Sequence, residues 1–374
     1  MKKGIFIVII IAVLVAGGVL FSRNSKDQNL TTAPPAVPFQ PDSQTLEQAT
    51  DPKNNSTAAT PANYDPNTCK GQTYICFTPY YKKLVTEQGI DAAFADLKKR
   101  YNDNPDVVTM CHPLTHIIGN AASSKYATVS EAYLHGDAFC WSGYYHGILE
   151  GVIDRIGLKE LPSKINGICA DIPGKAAYNF DYYNCVHGLG HGIMEALHDE
   201  VPASLKMCDD LVGNWEQLSC YSGVFMENII NDNKNHNSKY LRPAQPLYPC
   251  NILETKYKDQ CYLGQTSYAL QVTNYDFKKV FGMCATVGEP LRDTCNQSMG
   301  RDAANQAYHE KVRTRDLCAL APNQNDNLNC ITGAVKEIIS YYHSDVEAKE
   351  FCNVLTEDSK RTCLDTTASY YSLF

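Results

Sequence analysis

The sequence predicts an all-α fold: a solenoid of helical hairpins, each stapled by a disulfide, behind an N-terminal transmembrane anchor. Three observations predict it. Sixteen cysteines occur, all beyond residue 68 and most in regularly spaced pairs. The segments flanking those pairs carry the apolar period of helices rather than the alternation of strands. The chain also opens on an apolar run behind two lysines.

The N-terminus sets the compartment. Lys2 and Lys3 precede an apolar run of 18 residues from Gly4 to Phe21, near the lower limit for crossing a bilayer. A cleaved signal would have a shorter apolar core and a small-x-small cleavage site. The string "AGGVLFSRN" offers no clear site, and no cysteine follows for lipid attachment. Residues 1–21 are therefore expected to be a membrane anchor or uncleaved signal. The two lysines favour a cytoplasmic N-terminus, which exports the rest; Arg23 and Lys26 weaken that bias without reversing it. Residues 22–68 are rich in Pro, Thr, Ser, Asn and Gln. Such a segment buries too little apolar surface to offset its ordering entropy, so a stalk is expected. In an oxidising space an even, high cysteine count reads as disulfides rather than metal clusters.

Six cysteine pairs recur in order: Cys169/Cys185, Cys208/Cys220, Cys250/Cys261, Cys284/Cys295, Cys318/Cys330 and Cys352/Cys363. The first members at 250, 284, 318 and 352 stand 34 residues apart each time, and a fixed period of this size marks a repeat array. Each repeat is expected to be two helices. The first cysteine ends one, as in "DFKKVFGMCATV" and "DVEAKEFCNVL". The second opens the next, as in "LRDTCNQSMGRDAANQA" and "NLNCITGAVKEIISYY". Asp293, Asp326 and Asp358 are helix-start signals, by capping or by charge at the dipole. A disulfide across each turn contributes ~3 kcal/mol in the chain-entropy model. Upstream, "GIDAAFADLKKRYNDNP" with "DVVTMCHPLTHIIGNAA", and "TVSEAYLHGD" with "AFCWSGYYHGILEGVIDRIG", read as two further helix pairs. Cys111 is then left for Cys140, and Cys69 for Cys76, although spacing alone does not prove connectivity.

The pattern C-x-x-G occurs at Cys140/Gly143, Cys185/Gly188, Cys220/Gly223, Cys261/Gly264 and Cys330/Gly333. Glycine inside a helix costs up to ~1 kcal/mol against alanine, so these positions are expected to be close approaches between helices. The period resembles that of tetratricopeptide arrays in length and helix-pair layout. The Trp, Leu-Gly, Tyr and Ala positions of that family are absent, so the resemblance stops at the layout.

The histidines break the repeat. Six residues after the second cysteine stand His146 and His191, then Met226, Ser267, Arg301, Lys336 and Ser369. "CHPLTHIIG" fits with a shift of one and places His116 in that position. Histidine thus fills it in three successive repeats and never afterwards, so it is not how the array as a whole packs. His112 and His187 lie four residues before His116 and His191, and an i, i+4 pair faces one side of a helix, as two imidazoles chelating one ion do. Chance gives about 0.3 such pairs in a chain with this histidine content; the chain has two. Glu150 and Glu195 follow in the matching strings "HGILE" and "HGIME".

His112, His116, His146, His187 and His191 are therefore the candidate metal ligands. Glu150, Glu195 and Glu227 are the candidate proton-transfer groups, as ligands, as holders of an imidazole tautomer or as a general base. Neither pair is the H-E-x-x-H of zinc peptidases and no C-x-x-C-H for haem attachment occurs. Imidazole-rich ligation suits zinc, copper, nickel or non-haem iron. Tyr144, Tyr145, Tyr182 and Tyr183 lie nearby in sequence, each more simply read as a packed aromatic. Pro113 between the first two histidines threatens the helix geometry there. His135, His198, His236, His309 and His343 read as solvated surface residues.

The function expected is an extracytoplasmic, membrane-anchored metal-binding protein. The His-rich repeats at 69–248 would carry the site, and the repeats at 249–374 would act as scaffold. A metalloenzyme with hydrolytic or redox chemistry is one form of this, metal carriage another. The rival is an interaction scaffold whose solenoid surface binds a protein or peptide. Net charge is −8 and basic runs are short and scattered, which excludes a nucleic-acid partner as the expectation.

Overall fold

The structure is a computed structural model that describes Pro66 and residues 73–137, 139–140, 142–229 and 238–372. The expected anchor at 1–21 lies outside the described residues, as does the stalk at 22–68 apart from Pro66. No described helix is long and apolar enough to cross a membrane.

Every regular element among the described residues is helical. The first four are α1 Thr73–Gln88, α2 Ile90–Asp103, α3 Pro105–Thr109 and α4 Cys111–Ser123. They are followed by α5 Val129–Tyr133, α6 Gly143–Ile156, α7 Leu161–Ile168 and α8 Phe180–Ala196. Next come α9 Val201–Cys208, α10 Asn214–Ile229, α11 Thr255–Val272 and α12 Phe277–Cys284. The last five are α13 Leu291–Gln306, α14 Lys311–Cys318, α15 Gln324–Tyr342, α16 Val346–Asn353 and α17 Glu357–Tyr371.

The longer helices pack one on the next in chain order: α4 on α6, α6 on α8, α8 on α10, α10 on α11, α11 on α13, α13 on α15 and α15 on α17. The short α9, α12, α14 and α16 each lie against the long helix that follows them. α10 and α11 pack on each other from either side of the expected boundary at 248/249. Phe180, opening α8, meets His343, which caps α15, ring to ring at 4.5 Å. The end of α15 therefore lies against the start of α8.

Disulfides join Cys111–Cys140, Cys169–Cys185, Cys208–Cys220, Cys250–Cys261, Cys284–Cys295, Cys318–Cys330 and Cys352–Cys363. Their Cα–Cα distances run from 5.4 to 5.9 Å, the separation a disulfide needs. These are the pairs the spacing predicts. Cys76 is also disulfide-bonded, while Cys69 lies outside the described residues. This density of disulfides suggests an oxidising, extracytoplasmic or secreted environment.

Local rules explain most boundaries. Asn323 caps α15 by accepting from the Asp326 amide, and Asn179 caps α8 by accepting from the Tyr182 amide. Asp293, Asp326 and Asp358 all fall in first turns, where their charge complements the dipole. One hairpin departs from expectation: the arm leading to Cys250 is a chain of turns and no helix. Its sequence, "LRPAQPLYPC", carries three prolines that lock φ and remove amide donors.

Candidate metal centre

The site is built on α4, α6, α8 and α10, four consecutive members of the packed row. α4 begins at Cys111, so Pro113 sits in its first turn, where a missing amide donor leaves no gap in the ladder. The feared kink is absent, and His112 and His116 share one helix face. Glycines set the spacing between the helices. A Cβ on Gly147 would overlap the His116 carbonyl, and one on Gly223 would overlap the His187 carbonyl. Gly143 and Gly333 are similarly close to their neighbours, whereas Gly188 and Gly264 stand in looser contact with side chains. This close approach lets Glu150 on α6 reach His116 on α4, and Glu227 on α10 reach His191 on α8.

The structure brings together all five predicted histidines, and each is buried. Ring centroids stand 4.6 Å apart for His112–His116, 5.4 Å for His112–His146 and 5.3 Å for His116–His146. They stand 5.1 Å apart for His146–His187, 4.3 Å for His146–His191 and 4.9 Å for His187–His191. Across the two pairs, His116 and His191 are 5.5 Å apart.

Hydrogen bonds orient four of the five rings. His112 Nδ1 donates to the Cys140 carbonyl at 2.8 Å. His116 Nδ1 is bound to Glu150 Oε1. His191 Nδ1 lies 2.6 Å from Glu227 Oε2. Ser222 donates its hydroxyl proton to the Ser219 carbonyl at 2.8 Å, which leaves its oxygen to accept from His187 Nδ1 at 2.7 Å. In the neutral form each of these four imidazoles then carries its proton on Nδ1 and a lone pair on Nε2. Those Nε2 atoms face each other, at 2.9 Å for His112 and His116 and 3.1 Å for His187 and His191. His146, 2 % exposed, has no hydrogen-bond partner on either ring nitrogen among the described residues.

Three sets of ligand atoms lie within 4.8 Å of one another: His112, His116 and His146; His146, His187 and His191; and His116, Glu150 and Glu227. These buried His and Glu groups could hold a metal ion. The outer contacts to Glu150, Glu227, Ser222 and Cys140 are of the kind that fix tautomer and ring direction around a bound metal.

Electrostatics follow burial. Burial lowers His112 to about 3, with the His116 charge adding to it. Burial lowers His187 to about 4, partly opposed by Ser219 and reinforced by His116. His146 and His191 fall well below the ordinary imidazole value through burial and then through neighbouring imidazoles. His116 goes the other way. Burial pulls it down, but the carboxylates of Glu150, Glu227 and Glu195 outweigh that. Glu195 is exposed at the site's edge and is pushed up to about 8, first by the Glu150 charge, then by desolvation and Glu227.

The remaining aromatics divide. Tyr144 is core, its hydroxyl on the Ala132 carbonyl, and Tyr145 packs on Tyr133. Tyr182 binds Glu216 and stacks on Trp215. Only Tyr183, at 3.3 Å from His187 Nδ1, touches the cluster. Ser222 was not singled out from the sequence. A signal exists: it stands two residues after Cys220, where His187 stands two after Cys185. Of the other histidines, His135, His198 and His343 are exposed as expected, and His236 lies outside the described residues. His309 is not solvated: it is half-buried, 4.2 Å from the Tyr341 ring. The left-handed turn after α13 tucks it there.

No protein-family model, curated protein or solved structure matches the chain.

Proposed function

We propose that the protein is an extracytoplasmic metalloprotein, held at a membrane by residues 1–21, whose buried histidine centre binds a divalent transition metal. The observation that carries this reading is the pair of face-to-face Nε2 atoms at 2.9 and 3.1 Å. Nitrogens at that separation need a positive centre between them: a ring N–H can bridge each pair, and a metal ion held by both nitrogens also accounts for His146, unpartnered between the two pairs. Two nitrogens held about 2.0–2.1 Å from one ion stand about 2.9 Å apart at a right angle and about 3.3 Å apart at the tetrahedral angle, so a small opening of each facing pair seats one ion. Zinc, copper and iron all suit an imidazole-rich donor set.

In this reading Glu150 and Glu227 orient imidazoles, and Glu195 at the edge of the site is the group free to move protons. The row of stacked long helices, stapled hairpin by hairpin, supports a solenoid as the frame. The lysine-flanked apolar run from Gly4 to Phe21 supports the anchor.

The test is elemental analysis of the purified full-length protein after incubation with zinc, copper or ferrous ion and removal of the excess. The expected result is stoichiometric metal, lost in the His146→Ala/His191→Ala double variant while helical circular dichroism is retained. Absence of stoichiometric metal from the folded wild-type protein overturns the reading and leaves the histidines as packing groups on an interaction scaffold.

A further inference from the structure

The geometry points to a two-metal centre in which His146 is the shared ligand, one ring nitrogen to each ion; this rests on the metal reading above. Four of the five imidazoles are single-headed. The Nδ1 atoms of His112, His116, His187 and His191 are taken by Cys140, Glu150, Ser222 and Glu227, so only Nε2 is free to ligate. His146 alone is double-headed, with Nδ1 and Nε2 both buried and both without a partner. A buried polar atom left unpaired is destabilising, and here two belong to one ring.

Position agrees with valence. His146 stands on α6, which packs between α4 and α8. α4 carries one facing pair and α8 the other. His146 completes a set of three with each: with His112 and His116 on one side, and with His187 and His191 on the other. Each set supplies three nitrogens, the number that leaves one position open on a four-coordinate ion. The outer supports repeat as well. In each pair the second histidine is held by a carboxylate from the next helix in the row, and the first by an uncharged oxygen.

Neutral imidazole has one lone pair, so the second metal–nitrogen bond forms only as the remaining ring N–H proton leaves to solvent. The bridge is then an imidazolate, and the second ion's charge compensates the lost proton. A donor set of nitrogens alone on each ion favours zinc or copper over magnesium or calcium.

The experiment loads the full-length protein with copper(II), measures metal per chain, and compares it with the electron paramagnetic resonance intensity. The expected result is two coppers per chain with spin intensity well below two, because an imidazolate couples the two unpaired electrons. In His146→Gln the coupling is lost and the spin count rises to one per bound copper. The wild-type result stands without the variant. One metal per chain at saturation overturns the two-metal centre and leaves the metal reading intact. Two coppers with full, uncoupled intensity overturn the bridge. No bound copper overturns the metal reading, and the shared ligand falls with it.

Discussion

The Cys169–Cys185 and Cys284–Cys295 repeats share a disulfide-stapled helix pair, yet the two halves of the array treat one equivalent position in opposite ways. In the later repeats it holds Ser267 and Arg301, and the chain satisfies both. The Arg301 guanidinium donates to the Leu263 carbonyl at 2.7 Å and to Ser267 at 2.6 Å, and pairs with Asp302 at 2.7 Å. Asp302 also accepts from Thr266 at 2.6 Å and Ser267 at 2.7 Å. In the earlier repeats the position holds His146, which nothing satisfies, and His191, whose inward nitrogen faces another imidazole. A buried polar group that the chain itself completes is structure. The histidine cluster is oriented from outside, with His146 unpartnered at its centre, and could hold a metal ion.

The comparison can be broken in several places. The largest effect expected is from metal removal. A chelator should lower the melting temperature of the wild-type protein, by the equivalent of ~4 kcal/mol at a metal concentration a thousand times its Kd. The same treatment should leave the His146→Ala/His191→Ala protein unmoved; calorimetry with and without chelator decides.

Next is Gly147→Ala. Its methyl would meet the His116 carbonyl, so α4 must shift from α6 at a cost of about 3 kcal/mol, the upper part of the range for overpacking. The His116–Glu150 contact should loosen with it. Metal affinity and stability should therefore fall together, measured by denaturant unfolding and metal titration on one sample.

Arg301→Met should separate them. Removing the guanidinium leaves Asp302, 9 % exposed, without its cation. The loss should be about 2 kcal/mol, less than the ~3–5 kcal/mol for a fully buried pair, because the Arg301 side chain is 29 % exposed. Metal content should not change. A drop in metal would mean that the two regions are coupled.

A separate effect concerns pH. Burial lifts Glu337 to about 7, against the opposing pull of Arg301 and Asn305. A carboxyl raised in the folded state holds its proton more tightly there than when unfolded. Its contribution is fully present below the ordinary carboxylate value and is lost as pH rises through about 7. Stability should thus decline between pH 4.5 and 7 by a component that Glu337→Gln abolishes. Unfolding curves across that window test it.

Much of this was legible in the chain. The disulfide pairs followed from spacing, and the histidine cluster from asking where the repeat grammar is broken. Pairing and helix register act locally, and local rules can be read from sequence. The prolines before Cys250 were also readable, but the repeat period masked them. What could not be read was which groups orient the rings. The Cys140 carbonyl, Ser222 and the choice of Glu227 for His191 depend on how closely α6, α8 and α10 approach. That distance is set by glycines whose neighbours are known only once the helices are stacked. That both ring nitrogens of His146 lack a partner among the described residues is a property of three helices together, and no single stretch of sequence carries it.

The most direct test of the histidine centre is anomalous scattering at the zinc edge from crystals of the zinc-loaded protein. The account predicts density within bonding distance of the Nε2 atoms of His112 and His116, and of those of His187 and His191. Zinc found only at exposed histidines such as His135, His198 or His343, with the five buried rings unligated, would contradict it.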